Sequence, residues 1–222
     1  SEMCIRDRYM IISQKTAQKT ASYLLQVKAI KLDSKNPFHW SSGLLSPIYC
    51  DNRVVLSHPE IRTFMGNHLA KEIKKNKSRD FVIAGVATGA IGIGMLVAQT
   101  LNAPFIYVRP EPKKHGRKNQ IEGQLDSGKY VIVIEDLIST GKSSLNAVAA
   151  LRENGAKVTQ MLSLFTYGFL QAEENFLQAN IELKSLCDYE HLIIEALHQK
   201  FVSEHEIASL QSWRKDPAAW AP

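Results

Sequence analysis

The stretch VIVIEDLISTGKSS (131–144) runs from alternating Val and Ile into two acids and then into Ser-Thr-Gly-Lys-Ser-Ser. Its last letters look like the close of a nucleotide-binding P-loop, but that loop needs a glycine where Asp136 stands. An apolar run turning into glycine and hydroxyl residues ahead of a helical stretch is a strand handing its chain to a helix N-terminus. Unpaired N–H groups and the positive end of the helix dipole suit a phosphate there. Ser139, Thr140 and Ser143 add hydroxyl donors, and Gly141 permits close backbone approach. Glu135 and Asp136 would repel that phosphate if they faced it. They are expected to meet a neutral or cationic part of the same ligand, either ribose hydroxyls or a divalent metal bridging ribose and pyrophosphate. A phosphorylated sugar fits this pattern better than a nucleoside triphosphate. The blander reading, in which the acids only cap the turn, leaves their union with Ser-Thr-Gly and a helix start unexplained.

Three more runs share the strand's character: FVIAGV (81–86), PFIYV (104–108) and KVTQMLSLF (157–165). A Gly-punctuated helical stretch, roughly 90–101, separates the first two. Another, 142–154, separates YVIVIE (130–135) from the last, with Gly155 just past its C-cap. This order predicts βαβ units, a parallel sheet covered on both faces, and ligands outside the carboxyl ends of the strands. Glu135 and Asp136 stand at one such end.

Upstream, Ala17, Ala21, Leu24, Leu25 and Ala29 or Ile30 share the spacing of a helix from Ser13 to about Ile30. NPFHWSSGLLSPIYCDNR (36–53) reads as a hairpin or irregular strands. Ser57 is the expected cap of a second helix, His58 to about Lys75, with Pro59 in its first turn. Downstream come LQAEENFLQAN (170–180), a strand-like IELKSL (181–186), and helices near 189–199 and 204–213. Ser203 and Glu206 form a capping box for the last of these. SEMCIRDRY (1–9) joins no pattern that continues and Met10 makes a natural start, so residues 1–9 are set apart as extraneous to the fold. The remainder, 10–222, is expected to be a single domain, with a small N-terminal hood mainly at 13–56 and a core at about 57–222.

Composition narrows the partners. With 222 residues and 45% apolar content the chain can bury a real core. No apolar run reaches about 18 residues and no secretory h-region appears, so no membrane span is expected and the expected location is cytoplasmic. Cys4, Cys50 and Cys187 are scattered and form no CxxC, which fits reduced thiols rather than disulfides or a zinc site. The net charge of +5 is concentrated in KEIKKNKSR (71–79) and RPEPKKHGRK (109–118). The first reads as the solvated end of a helix. The second holds two prolines and a glycine, so Arg109, Lys113, Lys114, His115, Arg117 and Lys118 lie on a loop. No aromatics interleave with these cations as nucleic-acid stacking would require, so a small anion is expected and nucleic acid is not.

The same central stretch resembles the phosphoribosyl-pyrophosphate signature of the type I phosphoribosyltransferases. Two further segments resemble the orotate phosphoribosyltransferases among them. AIKLDSKNPFHWSSGLLSPIYCDNR (29–53) is similar to their N-terminal hood, and YVRPEPKKHGRKNQIEG (107–123) to their mobile catalytic loop. The likeness extends from about residue 13 to the closing SWRKDPAAW.

The resemblance implies a type I phosphoribosyltransferase fold: an α/β architecture with a central, mostly parallel sheet flanked by helices and a small hood. It implies transfer of ribose 5-phosphate to orotate to give orotidine 5′-monophosphate. Phosphoribosyl pyrophosphate is then expected to meet Lys31, Arg109, Lys113, His115, Glu135, Asp136, Leu137, Ile138, Ser139, Thr140, Gly141, Lys142 and Ser143. Orotate is expected at Ser139, Phe38 and Lys31. Lys113, His115, Arg109 and Asp136 carry catalysis, with His115 as proton donor or charge stabiliser. Mg²⁺ is the implied cofactor, held through the substrate and water rather than directly by protein ligands. A homodimer is implied, with loop 109–123 shared between subunits.

The chain departs from the pattern in four places. Lys142 stands where a second glycine is common, and Pro110 replaces a lysine found beside the loop arginine. GVATGAIG (85–92), in the place of the pyrophosphate loop, lacks a Tyr-Lys pair, and FTYGF (165–169) lacks an arginine that some members direct at the orotate carboxylate. The orotate anchor is therefore unassigned. Because the cradle does not read the base, a phosphoribosyltransferase for another base is one alternative, and a non-catalytic phosphoribosyl-pyrophosphate sensor is another.

Overall fold

The computed structural model describes residues 9–40, 43–75, 80–111 and 120–221. The chain opens with β1 (Tyr9–Ile11), α1 (Gln14–Gln26), β2 (Ile30–Leu32), β3 (Phe38–His39), β4 (Leu45–Ser46) and β5 (Ile48–Cys50). A 3₁₀ turn, Asn52–Ser57, leads into α2 (Pro59–Lys74). Next come β6 (Phe81–Val86), α3 (Ile91–Leu101), β7 (Phe105–Val108), β8 (Ile121–Glu122) and β9 (Tyr130–Ile138). The rest is α4 (Lys142–Glu153), β10 (Lys157–Thr166), α5 (Leu170–Gln178), β11 (Glu182–Asp188), α6 (Tyr189–His198) and α7 (Glu204–Lys215).

Among the described residues, seven strands form the main sheet in the order β1-β11-β10-β9-β6-β7-β8. Every neighbouring pair is parallel except β7 and β8, which are antiparallel. Alternation of side chains along the buried strands divides the interior into two layers. Ile132 and Ile134 of β9 face one layer with Leu162 and Leu164 of β10, beneath α1, α2, α3 and α6. Val131 and Val133 face the other with Met161, beneath α4 and α5. The expected α/β class and the βαβ rhythm are thus present.

The hood is not an independent lobe. The β2–β5 pair contributes Ile30 and Ile48 to the same cluster as Leu210 and Trp213 of α7, and Leu45 of the β3–β4 hairpin packs against it. Trp213 is fully buried, packs edge-on against Trp40 at 5.5 Å and Tyr167 at 5.7 Å, and donates its indole N–H to Leu45 O at 3.3 Å. Helix α1, counted with the hood from sequence, packs instead on the sheet with α6 and β11.

Several boundaries move for local reasons. The first helix stops at Gln26, not near Ile30, because Lys28 turns left-handed at φ 57° and frees Ile30 to be the buried start of β2. Ser13 caps it, accepting from Thr16 N at 3.2 Å. Ser57 does not cap α2: it ends the 3₁₀ turn, and His58 holds the cap position without a side-chain bond. Tyr9, set apart with residues 1–9 from sequence, pairs with Leu183 in β11 and so belongs to β1. β9 runs to Ile138 because β10 pairs with it that far, which places both acids inside the strand rather than just past it. Helix α4 closes as expected: Gly155 takes φ 82° and donates to Arg152 O, while Ala156 N donates to Leu151 O. The Ser203–Glu206 capping box is also present.

Candidate active site

β6 and β9 are neighbours whose chains leave in opposite senses. β6 continues through α3 to β7 on one side, and β9 continues through α4 to β10 on the other, with α3 and α4 on opposite faces. A crevice must open where the two carboxyl ends part, the switch point at which open α/β sheets bind ligands. A cavity of about 300 Å³ lies there. Glu135, Asp136 and Leu137 line one wall, Ser139, Thr140, Gly141, Lys142 and Ser143 the turn beyond, and Thr88 and Gly89 the wall opposite.

The turn is built to leave backbone donors open. Gly141 is the N-cap of α4 at φ 76°, with no side-chain cap bond, so the first N–H groups of the helix face the cavity unclaimed by a capping group. A methyl group on Gly141 would come within 2.6 Å of Phe176 in α5, so only glycine fits. Asn175, also in α5, donates to Thr140 O at 2.9 Å and pins the turn from behind. Lys142 is exposed at the helix start.

The two adjacent acids have separate environments. Glu135 is buried: its Oε1 accepts from Asp136 N at 3.0 Å and its Oε2 from the Ser144 hydroxyl at 2.8 Å. Burial, reinforced by the Asp136 charge, pushes its carboxyl well above the ordinary carboxylate range. Asp136 is half-buried and lies over Gly89, where an added Cβ would meet its carboxylate oxygens at 2.2 and 2.6 Å. Glu135 thus ties β9 to the first turn of α4, while Asp136 presents charge to the crevice. Both were expected to face ribose or metal; both oxygens of Glu135 instead accept bonds from the chain itself, whereas the carboxylate of Asp136 lies across the crevice against Gly89. Among the described residues no three His, Cys, Asp or Glu side chains gather as a metal cage. One half-exposed carboxylate beside a phosphate turn does fit a Mg²⁺ ion that arrives on a diphosphate and keeps most of its waters.

Other expected residues lie elsewhere. Ile138 does not line the cavity: its side chain is fully buried in the layer under α5, and its carbonyl accepts from Tyr167 N at 3.0 Å. Arg109 directly follows β7, paired with Glu122 of β8 at 3.4 Å, and its backbone N–H donates to Gln120 O at 2.8 Å. Lys113 and His115 lie outside the described residues. Lys31 is on the hood opposite Tyr49 in the β2–β5 pair, and the Phe38 ring lies 5.7 Å from that of Tyr49. Lys31 and Phe38 thus each neighbour Tyr49 on the hood, and all three are separate from the crevice lining.

Sequence alone missed Tyr49, Asn175, Gly89 and Asn52. Asn52 donates to the main-chain carbonyl of Asp136 at 2.7 Å across 84 positions of chain, a contact with no local signal. The Gly89 contact is equally long-range, although a glycine after a strand end in GVATGAIG was a usable hint. A larger cavity, about 760 Å³, lies between α1 and α2 and includes none of the turn's residues.

Residues 57–173 match the phosphoribosyl transferase domain family, which spans the crevice and both of its walls. The chain is 51% identical to the orotate phosphoribosyltransferase of Bacteroides thetaiotaomicron over 90% of its own length and 94% of that protein's. It belongs to the orotate phosphoribosyltransferase family. A Listeria innocua orotate phosphoribosyltransferase is 44% identical over 91% of this chain and 97% of its own. The crystal structure of the orotate phosphoribosyltransferase from Aeropyrum pernix superposes with a TM-score of 0.69 at 29% identity, covering 82% of this chain and 99% of that one. Leishmania donovani UMP synthase shares the fold at a TM-score of 0.74 and 23% identity, over 89% of this chain and 42% of that one. The type I phosphoribosyltransferase fold follows from these likenesses together with the sheet order.

Two predictions come from this geometry. Gly89→Ala should leave the fold intact, because the Asp136 side chain can rotate away from the new methyl. The carboxylate is then displaced by about 1 Å or more, and turnover should fall by about a hundredfold with an unchanged circular dichroism spectrum. Parent-like turnover would show that Asp136 need not lie where it does. The second concerns Glu135. A carboxyl raised by folding stabilises the fold below the ordinary carboxylate value of 4.5, and that contribution is lost as pH climbs through its folded value. Glu135→Gln cannot ionise, so its stability relative to the parent should increase as pH rises from about 5 to 8 in urea unfolding. A constant difference across that range would contradict the burial argument.

Proposed function

We propose that the chain transfers the ribose 5-phosphate of phosphoribosyl pyrophosphate to orotate, giving orotidine 5′-monophosphate and pyrophosphate, with Mg²⁺ as cofactor. The observation that carries this reading is Asp136 in the switch-point crevice beside the open N-terminus of α4. In this assignment the 5′-phosphate occupies the turn 139–143, taking backbone N–H groups and the hydroxyls of Ser139, Thr140 and Ser143. Asp136 faces the ribose hydroxyls. Glu135 serves the same ligand by holding Ser144 and the helix start in place.

Displacing pyrophosphate from the anomeric carbon leaves positive charge on the ribose and negative charge on the departing oxygens. Asp136 lies on the side where the first is stabilised. Arg109, Lys113 and His115, on the loop from 109 to 123, are assigned to the second, and each such contact is worth roughly 2–4 kcal/mol of barrier. Mg²⁺, when bound, neutralises part of the diphosphate charge. Phe38 and Lys31, grouped with Tyr49 on the hood, are assigned to orotate along with Ser139. The proposed assembly is a homodimer in which that loop serves the neighbouring subunit, and the proposed location is the cytosol. No described helix is long and apolar enough to cross a membrane.

An ultraviolet assay should record orotate loss that requires both phosphoribosyl pyrophosphate and Mg²⁺. Turnover of a purine with none of orotate would reassign the base, and saturable binding without pyrophosphate release would make the protein a sensor. Loop sharing has its own test. Lys113→Ala and Asp136→Ala proteins, each inactive, should regain activity when mixed and allowed to exchange subunits. No recovery after exchange is demonstrated would remove the loop from the partner's site.

A further inference from the structure

We propose that Asn52 is a positioning residue for this reaction: its carboxamide bridges the hood to the main chain of Asp136 and so sets where that carboxylate stands. The inference rests on the role assigned to Asp136 above. β6 pairs with β9 only as far as Ile134, whereas β10 pairs with it to Ile138. Past Ile134 the β9 edge toward β6 has no strand beside it. There Asn52, 2% exposed, donates Nδ2 to Asp136 O at 2.7 Å.

The direction of the amide follows from chemistry rather than from atom labels. A main-chain carbonyl can only accept, so the NH₂ group must face Asp136. The opposite end, Oδ1, lies 3.2 Å from the Cys50 Sγ, whose thiol donates to it. Burial, with the Asp136 charge, keeps that thiol protonated by raising its pKa well above the usual thiol value.

The bridge starts from a significant place. Cys50 ends β5, one residue after Tyr49, whose ring packs against Phe38. Asn52 begins the 3₁₀ turn that follows. The strand bearing Tyr49 of the hood's aromatic pair is therefore joined through one side chain to the acid assigned to ribose. Asp136 is held twice, by its carbonyl on Asn52 and by its carboxylate against Gly89. Removing the first support leaves the second to a side chain that can rotate.

A merely structural asparagine and a positioning one are separated by a double-mutant cycle. Parent, Asn52→Ala, Asp136→Asn and the double variant are compared for kcat, for KM of phosphoribosyl pyrophosphate, and for calorimetric binding of that substrate with Mg²⁺. Asn52→Ala should lower kcat/KM for phosphoribosyl pyrophosphate about tenfold in the parent and by less than about twofold in the Asp136→Asn background. Equal losses in both backgrounds, or no loss in the parent, would overturn the proposal. If Asn52→Ala fails to fold, Cys50→Ala replaces it. That change should weaken phosphoribosyl-pyrophosphate binding two- to threefold in the parent only, and Cys50→Ser, which retains a donor, should recover most of the loss; no difference between the two would overturn the proposal equally. A parent without orotate turnover would count against the reaction and not the bridge, which the binding arm of the cycle still reads.

Discussion

The carboxylate of Asp136 rests on Gly89, and the working end of the molecule is arranged around that contact. Strands β6 and β9 part at their carboxyl ends, so the loop after one and the last residues of the other approach without a ladder between them. A side chain on residue 89 would fill the gap; its absence lets the acid occupy it. The turn 139–143 begins three residues later, directly past the end of the same strand, so the distance from acid to turn is fixed by β geometry rather than by a flexible linker. A sugar phosphate has its hydroxyls and its phosphate at a similarly fixed separation.

Adjacent acids in one strand point to opposite sides, and here that alternation gives them different chemistry. Glu135 turns into the interior, where loss of water makes ionisation costly, and the hydroxyl of Ser144 and the N–H of Asp136 satisfy its oxygens. Asp136 retains contact with solvent and presents charge. One carboxyl joins strand to helix and the other faces the crevice, although the two are neighbours in sequence. The hood reaches the same place by another route, since Trp213 locks it against the core and Asn52 carries its position to Asp136.

Much of the plan was legible in the primary sequence because it is written in short-range patterns. Short runs rich in apolar and β-branched residues mark β6, β7, β9 and β10, and their rhythm with the helices implies a parallel sheet and a crevice at the strand ends. Ser-Thr-Gly before a helix marks the turn that lines that crevice. The errors were also local in kind. Ile30 shared the phase of α1 but belongs to β2, since a left-handed Lys28 intervenes, and Ile138, read as part of the cradle, buries its side chain in the layer beneath α4 and α5.

What local order could not reveal was which side chains meet across long stretches of chain. Asn52 to Asp136, Asn175 to Thr140, Gly89 to Asp136 and Trp213 to Leu45 join segments whose spacing in sequence carries no period. The same holds for the unequal fates of Glu135 and Asp136, because desolvation depends on everything packed around a group and not on its neighbours in the chain. Hydrophobic periodicity and turn chemistry are properties of a few consecutive residues, so they can be read from letters. Burial and long-range hydrogen bonding are properties of the packed whole, and they assign each of these residues its part.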